Sequence, residues 1–407
     1  MTHSETSALG ASHRPVVRLK PKAEVRALRH GFPWAFQNEV VADRRTRALK
    51  PGTIARLEDA ERRPLGTVAV NMESRIACRM LDRDPEAEID ANWFSQRLAR
   101  AQDLRQRLYK EPFYRLVHAE SDGLPGVVID RFADVAVLQP NAAWAEARLG
   151  ELVQALQSVA GVGTVIKNAA GRTRRLEGLD DHSQVLCGQV EGPVPVQMNG
   201  ATYMADVLGG QKTGLFYDQR PNHAFAARLA RGARVLDVFS HVGGFSLAAL
   251  AGGAQSALAV DASEPALDLA QAGAVASDFA DRFATRKGDA FDVLTALAKE
   301  GEKFDLVICD PPAFAPNRKA LEAGLRAYER VARLAAPLVA PGGYLGLCSC
   351  SHAADLTRFR NSSARGIGRA GRRSQLIHTG FAGPDHPQLP QLAETGYLKA
   401  LFFRLTP

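Results

Sequence analysis

Apolar and polar residues alternate in three successive patterns along this chain. From about residue 15 to residue 84, short apolar segments such as PGTIARLED and LGTVAVN are separated by Gly and Pro turns. Both segments predict strands, because apolar runs of this length bounded by turn residues are typical of small β units. Residues 1–14 carry no such pattern and are expected to form a disordered tail.

The second pattern begins after the acidic stretch DRDPEAEIDANW, which marks a predicted boundary near residue 84. WFSQRLARAQDLRQRLYK has apolar residues at helical spacing and predicts a helix. YRLVHAESDGLPGVVIDRFADVAVLQP predicts two strands around a turn, residues 142–159 a further helix, and TVIKN another strand. Residues 85–195 are therefore expected to form a small α+β domain.

In the third pattern, which is clear from about Arg231, short apolar strands alternate with helices. The predicted strands are ARVLDVF, ALAVDA, FATRKGD, FDLVICD, YLGLCSC and YLKALFFRL. This rhythm indicates an α/β fold with an open, doubly wound sheet, and we assign residues 196–407 to that domain.

Composition limits the cellular setting. Hydrophobic residues make up 46% of the 407, but no uninterrupted apolar run approaches the ~20 residues that span a bilayer. The N-terminus lacks the apolar core of a secretion signal and the five cysteines form no disulfide-like framework, so a soluble protein of the reducing cytoplasm without a membrane partner is expected. No metal site is predicted. The net charge of +7 favours a polyanionic partner, although many basic proteins bind no nucleic acid.

A ligand loop is predicted in VLDVFSHVGGFS, where a strand ends near Phe239 and a helix follows. Gly243 and Gly244 let the backbone approach a ligand, and the Asp237 carboxylate at the strand end can meet a ligand amine. A purely structural turn and a nicotinamide site are the alternatives. The motif GxGxxG is absent, and a pyrophosphate would lie poorly beside the aspartate.

Two further acids follow the next two strands. Asp261 is placed to accept hydrogen bonds from both ribose hydroxyls, and Asp289 to contact an adenine amino group beside Ala290. Either aspartate alone would be an ordinary solvated strand end. Three acids along the carboxyl edge of one sheet indicate a nucleoside ligand, and their spacing resembles that of class I S-adenosylmethionine (SAM)-dependent methyltransferases.

The fourth and fifth strands of this domain end in candidate chemistry. Asp310, Pro311 and Pro312 form a rigid loop that can face a planar base, with Phe314 close by; the alternative is a rigid turn with a solvated aspartate. Cys348 and Cys350 follow the fifth strand, and alternation would turn both to one side. A buried cysteine with no function is a common alternative.

A thiol and a carboxyl group in this arrangement suit cytosine-C5 methylation. Cytosine C5 is a weak nucleophile, but a thiolate that adds to C6 gives an enamine-like ring whose C5 can attack a methyl sulfonium. Asp310 near N3 would stabilise the ring during this step. The sequence does not identify the base that removes the C5 proton. His352 next to the thiol could lower the thiol pKa, or could be an ordinary surface residue.

These motifs resemble the bacterial 23S ribosomal RNA cytosine-C5 methyltransferases that carry an N-terminal PUA domain and a central α+β domain. The likeness extends from RLKPKAEVRALRHGFPWAF through GGQKTGLFYDQRPN and DPPAF to PDHPQLPQLAETGYLK. It implies SAM as cofactor and large-subunit rRNA as partner. It also implies cofactor contacts in the second segment, at Gln211, Thr213, Phe216, Asp218 and Arg220.

The resemblance also chooses between the cysteines. It implies Cys350 as the nucleophile, since Cys348 corresponds to a variable position. Better-known RNA cytosine-C5 enzymes have a second cysteine directly after the prolines, where this chain has Ala313, so Cys309 on the preceding strand is expected to be inert.

Basic residues in the PUA-like domain are candidate RNA contacts, namely Lys20, Lys22, Arg26 and Arg29. One stretch departs from the family pattern: RFRNSSARGIGRAGRR is rich in Gly and Ser, which predicts a short or frayed helix whose arginines could contact phosphates.

Three other functions stay open from the sequence. A SAM-dependent enzyme could methylate a nitrogen of guanine or adenine, because the DPP loop also suits an amino group. A non-catalytic RNA-binding or ribosome-assembly factor could retain the fold. A nicotinamide oxidoreductase is the most distant alternative. The sequence leaves a homodimer open as well.

Overall fold

The computed structural model describes residues 14–210 and 213–406. The predicted disordered tail, apart from Arg14, and the predicted cofactor contact Gln211 lie outside these residues. In the described part of the chain, no helix combines the length and apolar character needed to cross a membrane.

The N-terminal unit is a five-stranded sheet in the order β1-β3-β4-β5-β2, with β1 parallel to β3 and the other neighbours antiparallel. Its apolar face is fully buried at Val17, Leu57 and Val68. The strands predicted in PGTIARLED and LGTVAVN are confirmed as β3 and β4. The elements are β1 Val16–Arg18, α1 Val25–Arg29, β2 Trp34–Phe36, α2 Arg44–Arg47, β3 Thr53–Glu58, β4 Pro64–Val70 and β5 Ile76–Asp82.

The central unit is a second five-stranded sheet, in the order β10-β9-β8-β7-β6, against which two helices pack. The predicted helix at its start is confirmed as α3. The elements are α3 Ala91–Leu108, β6 Phe113–His118, β7 Val127–Phe132, β8 Val135–Pro140, α4 Ala143–Ala147, α5 Leu149–Ala160, β9 Thr164–Lys167, α6 Arg172–Leu176 and β10 Gln184–Cys187.

Two predictions for the central unit were wrong in detail. The segment expected to hold two strands holds three, because β7 and β8 form a tight hairpin whose two turn residues include Ala133 at φ 55°. Because this turn contains no glycine, the sequence pattern did not reveal it. The helix expected over residues 142–159 is divided into α4 and α5 at Arg148, whose φ of −117° and ψ of 24° are not helical.

A short hairpin leads into the C-terminal domain. Strands β11 Val194–Met198 and β12 Ala201–Ala205 are joined by Asn199 and Gly200, both at positive φ. An Asn-Gly pair is the favoured two-residue turn for such a hairpin, since both positions need the left-handed region. The hairpin packs on the C-terminal domain, where the Thr202 amide donates to Ser277 Oγ at 2.8 Å.

The C-terminal domain is a seven-stranded sheet in the order β15-β14-β13-β16-β17-β19-β18. Strands β13 to β17 are parallel and β19 is antiparallel to both of its neighbours, which confirms the doubly wound sheet. The elements are α7 Arg220–Leu229, β13 Arg234–Val238, α8 Gly244–Ala251, β14 Ser256–Asp261, α9 Glu264–Ala276, β15 Phe283–Lys287, α10 Ala290–Lys299, β16 Phe304–Cys309, α11 Leu321–Ala335, β17 Val339–Ser349, α12 Leu356–Arg369, β18 Arg373–Gly380 and β19 Lys399–Thr406.

Helix α12 overturns the expectation of a short or frayed helix, because it runs for 14 residues. Its small residues lie where it packs on α11: Ser362 and Ser363 are fully buried, and a Cβ added to Gly366 would lie 2.4 Å from the Glu329 carbonyl oxygen. Arg365 and Arg369 both bind the Glu329 carboxylate. The Gly and Ser residues therefore permit a close helix contact, and two of the arginines stabilise it.

Candidate functional site

The site is the carboxyl edge of the parallel sheet, where the strand order reverses between β13 and β16. Open α/β sheets bind their ligands at this kind of reversal. Two glycines make room there after β13. Gly243 has φ +78°, and a Cβ on Gly244 would lie 2.8 Å from the His223 ring. No larger residue fits at Gly244 without moving that ring.

Asp237 lies deeper than the sequence suggests. Its side chain is fully buried, and one carboxylate oxygen accepts hydrogen bonds from the Ser246 amide and hydroxyl, each at 2.9 Å. Burial raises the pKa of Asp237 to about 6. Within the described part of the chain, its other oxygen has no hydrogen-bond partner. The buried carboxylate thus retains one acceptor beside the glycine loop, and direct contact with a ligand amine stays a prediction.

The next two strands also end in acceptors. Each Asp261 oxygen accepts one backbone amide at 2.9 Å, from His241 and from Ser263, which leaves lone pairs on both oxygens for a diol. Asp289 is exposed and caps α10 by accepting the amides of the second and third residues after it. Ala290 is buried beside it. The arrangement fits the predicted ribose and adenine contacts.

Residues of the segment that precedes α7 contact two different places, the glycine loop and the central unit. Phe216 lies at the glycine loop, with its ring centroid 5.0 Å from that of His241. The Thr213 hydroxyl instead donates to Asp130 of the central sheet at 2.6 Å, and Arg220 donates to the Phe113 carbonyl. Buried Asp218 accepts the Tyr397 hydroxyl.

These contacts show which way two of the predicted cofactor residues face. The hydroxyl of Thr213 and the guanidinium of Arg220 bind the central unit. Contact of either residue with the cofactor stays a prediction.

Gln219 is a site residue that sequence reasoning missed. Its amide nitrogen donates to the Asp310 carboxylate at 2.9 Å, and its amide oxygen accepts from Asn222 at 2.7 Å. Gln219 and Asn222 are both buried, so this chain of two hydrogen bonds fixes the orientation of the acid in the DPP loop. The only sequence signal is its place just before Arg220 in GGQKTGLFYDQRPN.

Aromatic rings surround the DPP loop. Pro311 is buried and Pro312 is exposed. The half-buried Phe314 ring lies 5.0 Å from Tyr328 and 6.4 Å from Phe239, measured between ring centroids. Phe239 itself has φ 63°, an unusual value for an aromatic residue. The loop therefore offers exposed and half-buried apolar surface of the kind that stacks on a planar base.

Cys350 is held at the end of β17 by its two neighbouring serines. Ser349 and Ser351 are fully buried, while Cys350 is half-buried. Ser349 Oγ donates to Tyr328 Oη at 2.9 Å, and Ser351 Oγ shares a 2.7 Å hydrogen bond with the same oxygen. Ser351 Oγ also accepts the amide of Ala315 at 2.9 Å. This network ties the cysteine loop to the DPP loop on the neighbouring strand.

The other cysteines of this domain are buried. Cys348 and Cys309 are 1% and 0% exposed, and burial raises the pKa of both thiols. A thiol that rarely ionises is a poor nucleophile. The geometry thus favours Cys350 over Cys348 and agrees with the expectation that Cys309 is inert.

The four basic residues proposed as RNA contacts differ in their surroundings. Arg29 donates to Asp59 at 2.9 Å and Lys20 donates to the Asn38 carbonyl at 2.8 Å. Lys22 and Arg26 are exposed, and neither forms an ion pair within residues 14–210 and 213–406. Lys22 and Arg26 are therefore the stronger candidates.

Comparison with known proteins now identifies the family. A family model for S-adenosylmethionine-dependent methyltransferases matches residues 150–404, and a PUA-like domain model matches residues 17–83. The chain belongs to the SAM-dependent methyltransferases. The predicted cofactor, enzyme class and fold class are confirmed, with a PUA-like domain at the N-terminus.

Relatives match over nearly the whole length. Ribosomal RNA large subunit methyltransferase I of Alteromonas mediterranea is 36% identical over 394 residues, covering 96% of this chain and 98% of the relative. The protein of the same name from Cronobacter sakazakii is 33% identical and covers 93% of this chain and 96% of the relative.

Two solved structures share the fold. A candidate SAM-dependent methyltransferase from Streptococcus mutans has a TM-score of 0.79 at 19% identity and covers 96% of this chain and 100% of its own. A candidate methyltransferase solved with S-adenosylhomocysteine has a TM-score of 0.80 at 20% identity, with the same coverage.

The first prediction concerns Asp261. Replacing Asp261 with Ala should weaken SAM binding by roughly ten- to a hundred-fold. Two hydrogen bonds to a charged group contribute about 1.5–3 kcal/mol each, and water that replaces the carboxylate compensates for about half of their sum. Isothermal titration calorimetry checks this. Asp268→Ala is the matched control: Asp268 is exposed on α9, and its loss changes the net charge equally. If both variants bind SAM like the parent protein, the ribose lies elsewhere.

Proposed function

We propose that this methyltransferase forms 5-methylcytosine in large-subunit ribosomal RNA, through a covalent adduct between Cys350 and cytosine C6. The relatives' names support the RNA substrate. The observation that carries the chemistry is the half-buried thiol of Cys350, held against the DPP loop by Ser349, Ser351 and Tyr328. We further propose that the protein works in the cytoplasm.

The side chains divide the reaction between them. The Cys350 thiolate forms a bond to C6, and the electron pair of the C5–C6 double bond moves to C5. SAM supplies the methyl group. C5 accepts this methyl group, and S-adenosylhomocysteine is released. A base then removes the C5 proton. The electron pair of that C–H bond restores the C5–C6 double bond as the sulfur leaves C6. Asp310, oriented by Gln219, stabilises the ring at N3 during addition.

The target cytosine has to leave the RNA helix before this reaction can occur. No side chain can reach the face of a stacked and paired cytosine, so the target must be unpaired or flipped. Phe314 beside the DPP loop is the proposed stacking surface. Lys22 and Arg26 on the PUA-like domain are the proposed phosphate contacts, which would position the RNA without reading its sequence.

The second prediction tests this function directly. Full-length protein incubated with labelled SAM and 23S rRNA that lacks its modifications should transfer label, and nucleoside analysis should find it in 5-methylcytosine. Naked rRNA and assembled subunits are tested side by side. Label in a methylated guanine or adenine would instead support nitrogen methylation. SAM binding without transfer to either substrate would support a non-catalytic role.

A further inference from the structure

Lys399 is a buried cation beside Cys350 that the proposed reaction does not yet use. It begins β19, opposite Ser349 in the strand register, and is 6% exposed. Its ammonium donates to the carbonyl oxygens of Ser351 and Ala354, each at 2.8 Å. These two acceptors belong to the loop that follows Cys350.

Negative charge nearby stabilises a buried ammonium. Two carbonyl acceptors use two of its three protons, and among the side chains described no carboxylate forms an ion pair with it. Burial lowers the pKa of Lys399 to about 8, so most of the side chain is still charged at pH 7. The groups that act against this shift are Cys350 and Asp355.

Of these two groups, Cys350 is the better partner. Asp355 is 60% exposed on its side chain, and it caps α12 by accepting the Arg358 amide, so solvent screens its charge. Two further titratable residues lie in or against the cysteine loop. His352 is exposed and cannot carry negative charge, and Tyr328 shares its hydroxyl with two serines and has a raised pKa. Among the groups described around the ammonium, the Cys350 sulfur is therefore the place where negative charge can develop.

We propose that Lys399 is a positioning residue that stabilises the thiolate of Cys350 through its ammonium charge and thereby makes this sulfur reactive at neutral pH. A positive charge near a thiol favours the ionised form and lowers the thiol pKa. The link to catalysis rests on the proposed C6-addition mechanism. The effect on the thiol needs no RNA and can be measured alone.

The third prediction is a pH profile of alkylation. Full-length protein is treated with iodoacetamide at pH 5 to 10, and modification of Cys350 is followed by mass spectrometry with fragmentation that separates it from Cys348. Lys399→Gln keeps amide donors for the two carbonyls but loses the charge. It should raise the apparent pKa of Cys350 by at least about one unit and slow its alkylation about tenfold at pH 7. Lys399→Arg keeps the charge and should stay close to the parent profile.

Two controls exclude damage to the fold. Cys187 is half-buried in β10 of the central sheet, and its alkylation in the same samples should be the same in all three proteins. SAM affinity should also be unchanged. If the Gln variant fails either control, the Arg variant decides: a raised Cys350 pKa in a folded Arg variant overturns the proposal.

The remaining outcomes separate the two hypotheses. Superimposed Cys350 profiles for the parent protein and a folded Lys399→Gln variant would overturn the role of Lys399, even if Cys350 is essential. A shifted profile together with an active Cys350→Ala enzyme would leave the electrostatic effect in place and end the proposed reaction instead.

Discussion

Replacing Cys350 with Ala should reduce RNA methylation to an undetectable rate while leaving the fold and the affinity for SAM intact. In the proposed reaction the Cys350 thiolate forms the bond to C6, and the methyl group of Ala cannot do so. The hydrogen bonds that hold the loop come from Ser349, Ser351 and Lys399, so loss of the thiol leaves them in place. Labelled methyl transfer to 23S rRNA and calorimetry of SAM binding measure the two properties separately.

The other cysteines are the matched controls for this substitution. Cys78, Cys309 and Cys348 are buried in the core, and burial raises the pKa of Cys78 to about 12. Their replacement by Ala removes only packing volume and should preserve most activity. Cys187→Ala, in the central sheet, should do the same. Loss of methylation with Cys348→Ala, in a protein that still binds SAM, would move the nucleophile by two residues.

A trapped intermediate gives a second readout of the same mechanism. RNA that carries 5-fluorocytosine should form a covalent adduct with the parent protein, because fluorine at C5 blocks the final elimination. The adduct should map to Cys350 and be absent from the Cys350→Ala variant. An active Cys350→Ala enzyme would end the C6-addition mechanism and favour nitrogen methylation.

The positions of the site residues that lie at or just after strand ends were predictable from the sequence. Asp237 and Asp261 lie at the ends of apolar strands, and Asp289 follows the next strand by two residues; parallel strands bring such positions to one edge. The structure places all three there. Cys350 and the DPP loop belong to the same group, since they follow neighbouring strands β16 and β17.

The other half depends on tertiary contacts that no local pattern encodes. Gln219 reaches Asp310 across 91 residues of sequence, and Lys399 reaches the Ser351 carbonyl across 48. A lysine at the start of a largely apolar strand is a weak sequence signal for a buried cation, and it can be recognised only once the structure is known. The hydrogen bonds of Thr213 and Arg220 were hidden for the same reason, because their partners lie in the central unit.

The composition of α12 predicts the wrong structure because tertiary packing stabilises this helix. The Gly and Ser residues of α12 suggested a frayed helix, but buried small residues allow α12 to approach α11 closely. Charged side chains also form a buried contact between the N-terminal sheet and the central unit, on the two sides of the predicted boundary near residue 84.

Glu177 is the centre of that buried contact. This side chain is 3% exposed and accepts hydrogen bonds from Arg79 at 2.9 Å, Ser74 at 2.8 Å and Asn71 at 3.1 Å, all on the N-terminal unit. Arg79 also binds Glu120 at 3.0 Å. Because these partners are desolvated, each depends on Glu177 or Glu120 for its hydrogen bonds.

Glu177→Ala should therefore lower the free energy of unfolding of the N-terminal and central units by about 3–5 kcal/mol, since it leaves buried donors and a buried guanidinium underpaired. Tryptophan fluorescence in urea reports this, because the three tryptophans, Trp34, Trp93 and Trp144, all lie in these two units. Glu61→Ala, at a side chain 63% exposed, is the control and should change stability by less than about 0.5 kcal/mol. Equal urea midpoints for the two variants would mean that the buried Glu177 carboxylate adds nothing to the stability of the two units.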